Sequence, residues 1–561
     1  MVLPDDQFKS LILEAKLVTP DQLPEIERFA INADMSLDVA LLQKGTVTED
    51  KLGQLLATHF KVPYVTLAKL SIPEEVFNLI PEVFARKHKI IAFDRDKDEI
   101  KVAMVNPART DLLQSFAKKT GQKISVYLTL STDIQTVLRA YEKDIQKTVD
   151  DLLKADIWKK TNVLEDPPVA EIVDLIIENA YQERASDIHI EPQETTTLTR
   201  FRVDGMLRDI VTAPKYLHDR ILTRIKVLSN LRTDEHLSAQ DGKMRLSLEE
   251  ENLDIRVSIV PVAEGEKAVL RLLSSKSRQY NFQTLGMNET DLNKVESSYS
   301  KSYGMILSTG PTGSGKTTSI YSILKILNTR EKNITTVEDP VEYRIKGANQ
   351  IQVNVKANLT FASGLRSILR QDPNIIFVGE IRDNETAGIA VNAALTGHLV
   401  LSTLHTNDAA TAIPRLSDMG VEPFLVASTV NIIIAQRLVR QVCSQCRTEI
   451  PMTAEEMVKN FPSEVVKKVY GSSKDMKAFK GQGCKACHGT GYLGRIGLFE
   501  VLEVSNTIRR LITEKKDSDL ITKAAIDEGM TTMLLDGLIK VREGTTTIDE
   551  ILRVAKSEFL S

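Results

Sequence analysis

The chain has 561 residues, 42% hydrophobic and 26% charged, a composition of ordinary globular protein at a length that no single core could serve, so several domains are expected. A net charge of −4 and a pI near 6.2 leave no global basic surface, which counts against nucleic acid as the main ligand. All four cysteines fall between positions 443 and 487, a clustering that points to a metal rather than to disulfides.

From the N-terminus, Leu11, Ile12, Ala15 and Leu17 recur at helical spacing, as do Leu37, Ala40, Leu41, Leu52, Leu55 and Leu56. From Pro73 the pattern changes: Ile90–Phe93, Ile100–Val105 and Ile124–Leu128 are strand candidates among helical segments. Residues 1–145 are therefore expected to form a module, helical and then α+β, suited to docking a partner. Residues 146–168 carry Asp150-Asp151, Lys159-Lys160 and Asp166-Pro167-Pro168 with no sustained apolar face, and are expected to be a linker with at most a transient helix.

A second α/β domain is expected over 169–275. Val169, Ile172, Val173, Leu175, Ile176, Ile177 and Ala180 make a helix face, followed by the extended Ser186–Glu191 and by strand candidates at Leu198–Val203, Leu253–Val260 and Ala268–Leu273. This region is rich in arginine. Arg256, between Ile255 and Val257, and Arg271, between Leu270 and Leu272, are aimed by strands and are candidates for phosphate contacts.

In residues 286–440 strand and helix candidates alternate (303–308, 318–328, 333–337, 374–378, 398–403), which calls for a mainly parallel sheet with helices on both faces and a ligand at the carboxyl ends of its strands. Gly310-Pro311-Thr312-Gly313-Ser314-Gly315-Lys316-Thr317-Thr318 fits the phosphate-binding loop, between a buried strand and a helix as that motif requires. Its glycines allow successive N–H groups to converge on an anion at the helix N-terminus; Lys316 would reach the β and γ phosphates and Thr317 would offer a hydroxyl to Mg²⁺. Two further strands run into Glu338-Asp-Pro-Val-Glu342 and Gly379-Glu380-Ile-Arg382-Asp383, delivering carboxylates to one edge. Phosphoryl transfer needs a metal and an oriented water, so Glu380 is the first candidate for that task, with Glu338 and Glu342 sharing the other role. Asp339 and Asp383 are also placed to cap helices. His398 and His405 flank a buried strand at no metal-ligand spacing and read as γ-phosphate sensors.

Together, Gly310–Thr318, Val337–Glu342, Gly379–Asp383 and Gly397–Asn407 look like the Walker A, aspartate, Walker B and histidine boxes of the secretion ATPase superfamily. Ala185–Pro192 and Arg202–Gly205 resemble that family's second N-terminal domain, so the similarity covers residues 169–561. With its two Cys-x-x-Cys pairs the chain is most similar to the type IV pilus assembly (extension) ATPases and their type II secretion relatives. The resemblance implies an α/β, RecA-like phosphate-loop domain with a zinc-binding insertion and a helical cap, working as a homohexamer in which second-domain arginines meet nucleotide held by the C-terminal domain. On this chain those would be Arg256 and Arg271, with Arg366, Arg370 and Arg382 as further interface candidates.

Cys443 and Cys446 lie ahead of Cys484 and Cys487 as two hooks able to close tetrahedrally on one Zn²⁺, so residues 441–495 are expected to be a structural zinc insertion. Residues 496–561 read as a helical cap, packing through Ile508, Leu511, Ile512, Leu534, Leu535, Leu538 and Ile539. The retraction ATPases of the superfamily lack this insertion and the long N-terminal region. Ser36–Gly45 through Pro63 resembles the helical domain that binds cyclic di-GMP in some relatives, but where that pattern has Arg-Leu-Gly and a later Gln this chain has Ser36-Leu37-Asp38 and His59-Phe60. Loss of the arginine removes the guanine or phosphate contact, so cyclic di-GMP is not expected to bind.

The opening Met1–Asp6 lacks a leader's basic and apolar regions, and the apolar stretch Pro423–Val439 is interrupted by Asn431, Gln436 and Arg437. The expectation is a cytoplasmic ATP-hydrolysing motor with no membrane span, attached to the inner membrane through a platform protein and driving pilus assembly. Type II secretion is the rival within the family, and a nucleic-acid motor of the same core fold is the rival outside it.

Overall fold

The computed structural model describes residues 3–32, 36–43, 46–67, 70, 72–96, 98–138, 145–154, 168–248, 251–274, 282–471 and 475–555. The chain divides into two compact units, one of residues 1–80, 88–134 and 280–561, the other of residues 81–87 and 135–279.

The helices Asp5–Glu14, Leu23–Asn32, Leu37–Gln43 and Glu49–Phe60 open the chain. Thr48 caps the last of these by accepting from the Lys51 N–H, and Lys61 ends it in the left-handed conformation. The strands β1 (Ile90–Arg95), β2 (Glu99–Met104) and β3 (Lys123–Leu128) form a sheet with β2 central. Leu128 and Leu130 enter the same core as Phe8, Ile12, Leu41 and Leu56, so the helical and α+β parts share one interior.

The second unit holds a six-stranded antiparallel sheet in the order β6-β5-β4-β9-β8-β7, built from β4 (Asp187–Pro192), β5 (Thr196–Val203), β6 (Met206–Pro214), β7 (Gln240–Ser247), β8 (Asn252–Val262) and β9 (Gly265–Leu273). Side chains alternate between buried and half-buried along β5 and β8, as one covered face requires. The helix Val169–Gln182 buries Ile172, Val173, Ile176 and Ile177 here.

The expected linker is corrected over part of its length. Ile145–Lys154 is a helix with Ile145 and Val149 buried in this same core, and Gln146 both accepts from Thr212 N–H and donates to its carbonyl. Ile145, Val149, Leu152 and Leu153 are the apolar face that the charges of Asp150 and Asp151 obscured. Residues 155–167 lie outside the described residues.

In the first unit, a seven-stranded sheet runs β12-β11-β13-β14-β10-β15-β18, from β10 (Gly304–Thr309), β11 (Ile334–Glu338), β12 (Asn349–Gln352), β13 (Ile375–Val378), β14 (Leu399–Leu404), β15 (Val430–Val442) and β18 (Tyr492–Glu503). All neighbours are parallel except β15 and β18. Strands β10, β11, β13 and β14 are buried at every residue because helices cover both faces.

β18 corrects the expected boundaries. The insertion leaves the sheet at Val442 and returns at Tyr492, and residues 496–503, expected to begin a helical cap, are edge strand. Between them, β16 (Arg447–Thr453) and β17 (Asp475–Gly481) form a hairpin. The helices Ala454–Asn460 and Ser463–Tyr470 pack Met457, Phe461 and Val466 against Leu534, Leu538 and Val541 of the C-terminal helices. Among the described residues, no helix is long and apolar enough to cross a membrane.

Candidate functional site

Strand β10 ends at Thr309 and the helix Lys316–Leu327 begins seven residues later, so Gly310–Gly315 form the turn between the sheet's carboxyl edge and a helix N-terminus. Gly310 and Gly315 take φ of +144° and +92°, which L side chains rarely adopt. The loop lies at the positive end of the helix, where backbone N–H groups and the helix dipole favour an anion. Lys316 is buried and donates from Nζ to the carbonyls of Gly310 (2.7 Å) and Pro311 (3.0 Å). Burial pushes its ammonium below the ordinary lysine range, and the nearby Glu380 carboxylate pulls it back up.

Glu380 follows β13. Its Oε2 lies 2.8 Å from Arg382 Nε and 3.3 Å from His405 Nε2. Two bonds from β14 fix the approach: Ser402 Oγ donates to the Val378 carbonyl and Thr403 Oγ1 to that of Gly379. The structure thus brings Lys316, Glu380, Arg382 and His405 to one edge. Thr317 and Thr318 occupy the first turn of the loop helix.

Two sequence expectations are corrected. Glu338 is only 2% exposed, and its carboxylate accepts from Tyr321 Oη (2.5 Å), Thr336 Oγ1 (2.6 Å) and Gln350 Nε2 (3.2 Å). Burial pushes the Glu338 carboxyl up in spite of those donors. This enclosed position joins β11 to the loop helix instead of leaving the carboxylate open beside the loop, whereas Glu342 is half-buried just beyond. His398 precedes β14 at the edge opposite the phosphate loop, since Gly304 pairs with Leu399 and Thr309 with Leu404. Six residues of strand separate the two edges by roughly 20 Å. His398 Nδ1 instead faces the Ala393 carbonyl at 3.0 Å, at the end of the helix Asn384–Leu395. Asp383 caps that helix through the Thr386 N–H. Arg366 pairs with Glu385, and Arg370 contacts the Arg366 carbonyl and Ser367.

In the second unit, Arg256 on β8 stands directly across from Arg271 on β9 and from Lys243 on β7, while Asp187 on β4 stands across from both Arg271 and Arg202. Opposed residues share a face, so four cations and one carboxylate form a row across five strands. Asp187 is buried and holds Arg271 Nε at 2.9 Å and Arg202 Nε at 3.6 Å.

The four cysteine sulfurs all lie within 4.8 Å of one another. Cys443 and Cys484 are 3.7 Å apart, Cys446 and Cys487 3.8 Å, and Cys484 and Cys487 3.7 Å. A tetrahedron of thiolates about 2.3 Å from a zinc ion has edges of about 3.8 Å, so the donor set fits that metal. Backbone N–H groups of Gly483, Cys484 and Gly491 point at the sulfurs of Cys446, Cys487 and Cys487, as thiolates require. Burial alone would raise the Cys487 thiol, but the Cys484 and Gly491 donors bring it down to about 7.

Residues 162–553 match the family described as "Type II/IV secretion system protein". The chain belongs to that family. Residues 60–148 match the MshEN domain. Relatives of similar length include the type IV pilus assembly ATPase PilB of Myxococcus xanthus, 34% identical over 97% of each chain. The type II secretion system protein E of Pectobacterium carotovorum is 40% identical over 86% of this chain and 98% of its own. The Legionella pneumophila ATPase DotB shares the fold, with a TM-score of 0.51, 22% identity, and coverage of 71% of this chain and 98% of that one.

Several residues that brace the phosphate-loop edge, and one that braces the basic row of the second unit, escaped the sequence reading. Thr403 and Ser402 were hidden inside an apolar strand, and Tyr321 looked like an ordinary core position of the loop helix. Gln436 had a visible signal, a carboxamide inside Ile432-Ile-Ile-Ala-Gln-Arg-Leu438, but that signal was used only against a membrane span. Asp187 lay within the recognised Ser186–Glu191 segment without a partner to give it a task.

Proposed function

We propose that this ATPase is the motor of a type IV pilus assembly machine, hydrolysing ATP to ADP and phosphate as a hexamer docked on an inner-membrane platform protein. The observation that carries the reading is the proximity of Lys316, at the mouth of the phosphate loop, to Glu380 at the end of the Walker B strand β13, which β14 separates from β10 in the sheet. The loop amides and Lys316 grip the β and γ phosphates. Glu380, oriented by Arg382 and His405, accepts a proton from or positions the attacking water. Mg²⁺, when bound, would be held by Thr317 and the carboxylate edge and would neutralise charge between the β and γ phosphates. Glu342 is the second carboxylate available, and His405 is placed to sense the γ-phosphate.

The basic row of the second unit gives the reading its mechanical half. Arg256 and Arg271, lent by a neighbouring copy, would complete the charge on the transferring phosphoryl group, with Arg366, Arg370 and Arg382 along the same junction. Such an arginine is typically worth about 10³–10⁵ in rate. Closing on the triphosphate then couples hydrolysis to rotation of one domain against another. The zinc module is structural, a rigid seat for the C-terminal helices. The N-terminal module docks the partner, and Ser36, Leu37 and Asp38, standing where the binding pattern has Arg-Leu-Gly, count against cyclic di-GMP as its ligand.

Type II secretion is a second reading, supported by the higher identity to the Pectobacterium protein, while the even coverage of the Myxococcus protein supports the pilus. Phosphate release by the wild type and by Glu380→Ala tests the core: turnover that vanishes in the variant supports it, and equal turnover overturns it. Stimulation by the pilus platform protein and not by DNA supports the assembly role, and the reverse pattern contradicts it.

A further inference from the structure

The floor of the phosphate loop is made by a residue from another strand. Strand β15 lies parallel to β10, with Thr309 paired to Ala435, so the next residue, Gln436, sits beside the first residue of the loop. A Cβ at Gly310 would collide with the Gln436 carbonyl and meet Ser314 Oγ at 2.6 Å. At the other end of the loop, a Cβ at Gly315 would lie 2.7 Å from Gln436 Nε2. One residue therefore underlies both ends of the turn, main chain at Gly310 and side chain at Gly315.

The carboxamide is fully buried and is fixed from one side only. Its Oε1 accepts from Ser319 Oγ at 2.6 Å, one turn into the loop helix. Among the described residues, Nε2 has no acceptor, and neither does the buried Ser314 Oγ in the loop above it. A buried donor left unpaired is costly, and native structures rarely keep one without a use. Here Nε2 lies beside Gly315 at the helix entrance, where the loop amides and Lys316 gather positive potential. On its own strand Gln436 shares a face with Ile434 and Leu438, both apolar, so packing against those two gives no reason for an amide at this position.

We propose that Gln436 is a positioning residue of the nucleotide site: its carboxamide sets the width of the phosphate loop and adds donor potential under the polyphosphate. It acts through the loop and not on the reacting atoms. An anion seated above Gly315 raises the value of a positive dipole beneath it, so the interaction strengthens when nucleotide binds and opposes release. The inference rests on the nucleotide-binding assignment of Gly310–Thr317, and Lys316→Ala provides the separate control for that assignment.

The test compares Gln436→Met, which keeps volume and removes the amide, with Gln436→Glu, which keeps the shape and the Ser319 contact but places a carboxylate under the phosphates. ATP turnover, ATP affinity and inorganic pyrophosphate affinity are measured on the full chain, with melting to confirm the fold. The expected results are a KM raised about tenfold with kcat nearly unchanged for Met, and pyrophosphate affinity lost about a hundredfold for Glu. Wild-type KM and pyrophosphate affinity in both variants would overturn the proposal. If Gln436→Met does not fold, Ser319→Ala decides: a weakened pyrophosphate affinity supports the positioning role, and an unchanged one contradicts it. Failure of the wild type itself to bind pyrophosphate would contradict the nucleotide assignment instead.

Discussion

Glu380 Oε2 lies 3.3 Å from His405 Nε2, so the ends of two neighbouring parallel strands, β13 and β14, present an acid and an imidazole to the same edge as the phosphate loop. Arg382 Nε lies 2.8 Å from the same carboxylate oxygen. Glu380→Gln should retain ATP binding and lose turnover by roughly 10²–10⁴-fold, the span of a lost acid–base group. His405→Asn, which removes an orienting partner of Glu380 and the imidazole placed to sense the γ-phosphate, should lower kcat by a smaller factor and weaken ATP affinity only slightly. Equal losses in affinity and turnover for both variants would show that the pair holds the fold of this edge instead.

The basic row across the second unit depends on Asp187, which holds Arg271 from beneath. Asp187→Asn keeps the shape and removes the charge, so Arg271 should be less well aimed and turnover should fall, by less than in Arg271→Ala. Arg256→Ala and Arg271→Ala are each expected to reduce turnover by about 10³ or more with nucleotide binding retained. Steady-state rates set against ATP titrations separate the two effects.

The C-terminal helix Ile548–Ala555 is tied to the root of the zinc module by one buried carboxylate. Glu550 accepts from Arg440 N–H (2.8 Å) and Arg440 Nη2 (2.7 Å) and from Arg553 Nη2 (2.8 Å). Burial would raise this carboxyl, but the hydrogen bonds from Arg553 and Arg440 outweigh it and hold it at about 2, against an ordinary 4.5. A depressed carboxyl stabilises the fold above its unfolded value, and that stability is lost as pH falls from about 5 toward 2, amounting to roughly 3 kcal/mol. Glu550→Gln should therefore melt lower than the wild type at pH 7, with the gap narrowing at pH 3. A constant gap across that range would sink the assignment.

Zinc should be found at one ion per chain, and Cys443→Ser or a strong chelator should unfold the insertion before the rest. Structural zinc is typically worth on the order of 10 kcal/mol to a small module. Since Phe461 and Val466 share a core with Leu538 and Val541, loss of the metal should also loosen the C-terminal helices. Hydrogen exchange over 443–491 and 533–555 checks this; unchanged protection after chelation would contradict a structural ion.

Much of this was legible in the residues, for reasons that separate the successes from the misses. The phosphate loop, the Walker B end at Glu380 and the paired cysteines are local: spacing along the chain is itself the geometry. Strand β10, the loop helix and the buried strands β11, β13 and β14 were visible because each is a short apolar run beside glycine or charge. What failed depended on partners distant in sequence. Glu338 was read as open because Tyr321 and Gln350, which enclose it, are brought to it by the fold. His398 was read with His405 because they are close in sequence, while an intervening strand carries them to opposite edges. The helix Ile145–Lys154 was missed because its apolar face has only four members and finds its partner near Thr212. β18 was read as cap because Leu498, Phe499, Val501 and Leu502 suit either a helix or a buried strand.

The central claim is that one copy grips the triphosphate and another completes the site. It is tested most directly by mixing two inactive proteins, Lys316→Ala, which cannot hold nucleotide, and the double variant Arg256→Ala with Arg271→Ala, which cannot complete a neighbour's site. Phosphate release should reappear in the mixture, at a fraction of the wild-type rate, because Lys316→Ala copies still lend arginines to the intact loops beside them. A mixture that assembles into rings yet releases no phosphate would contradict the account.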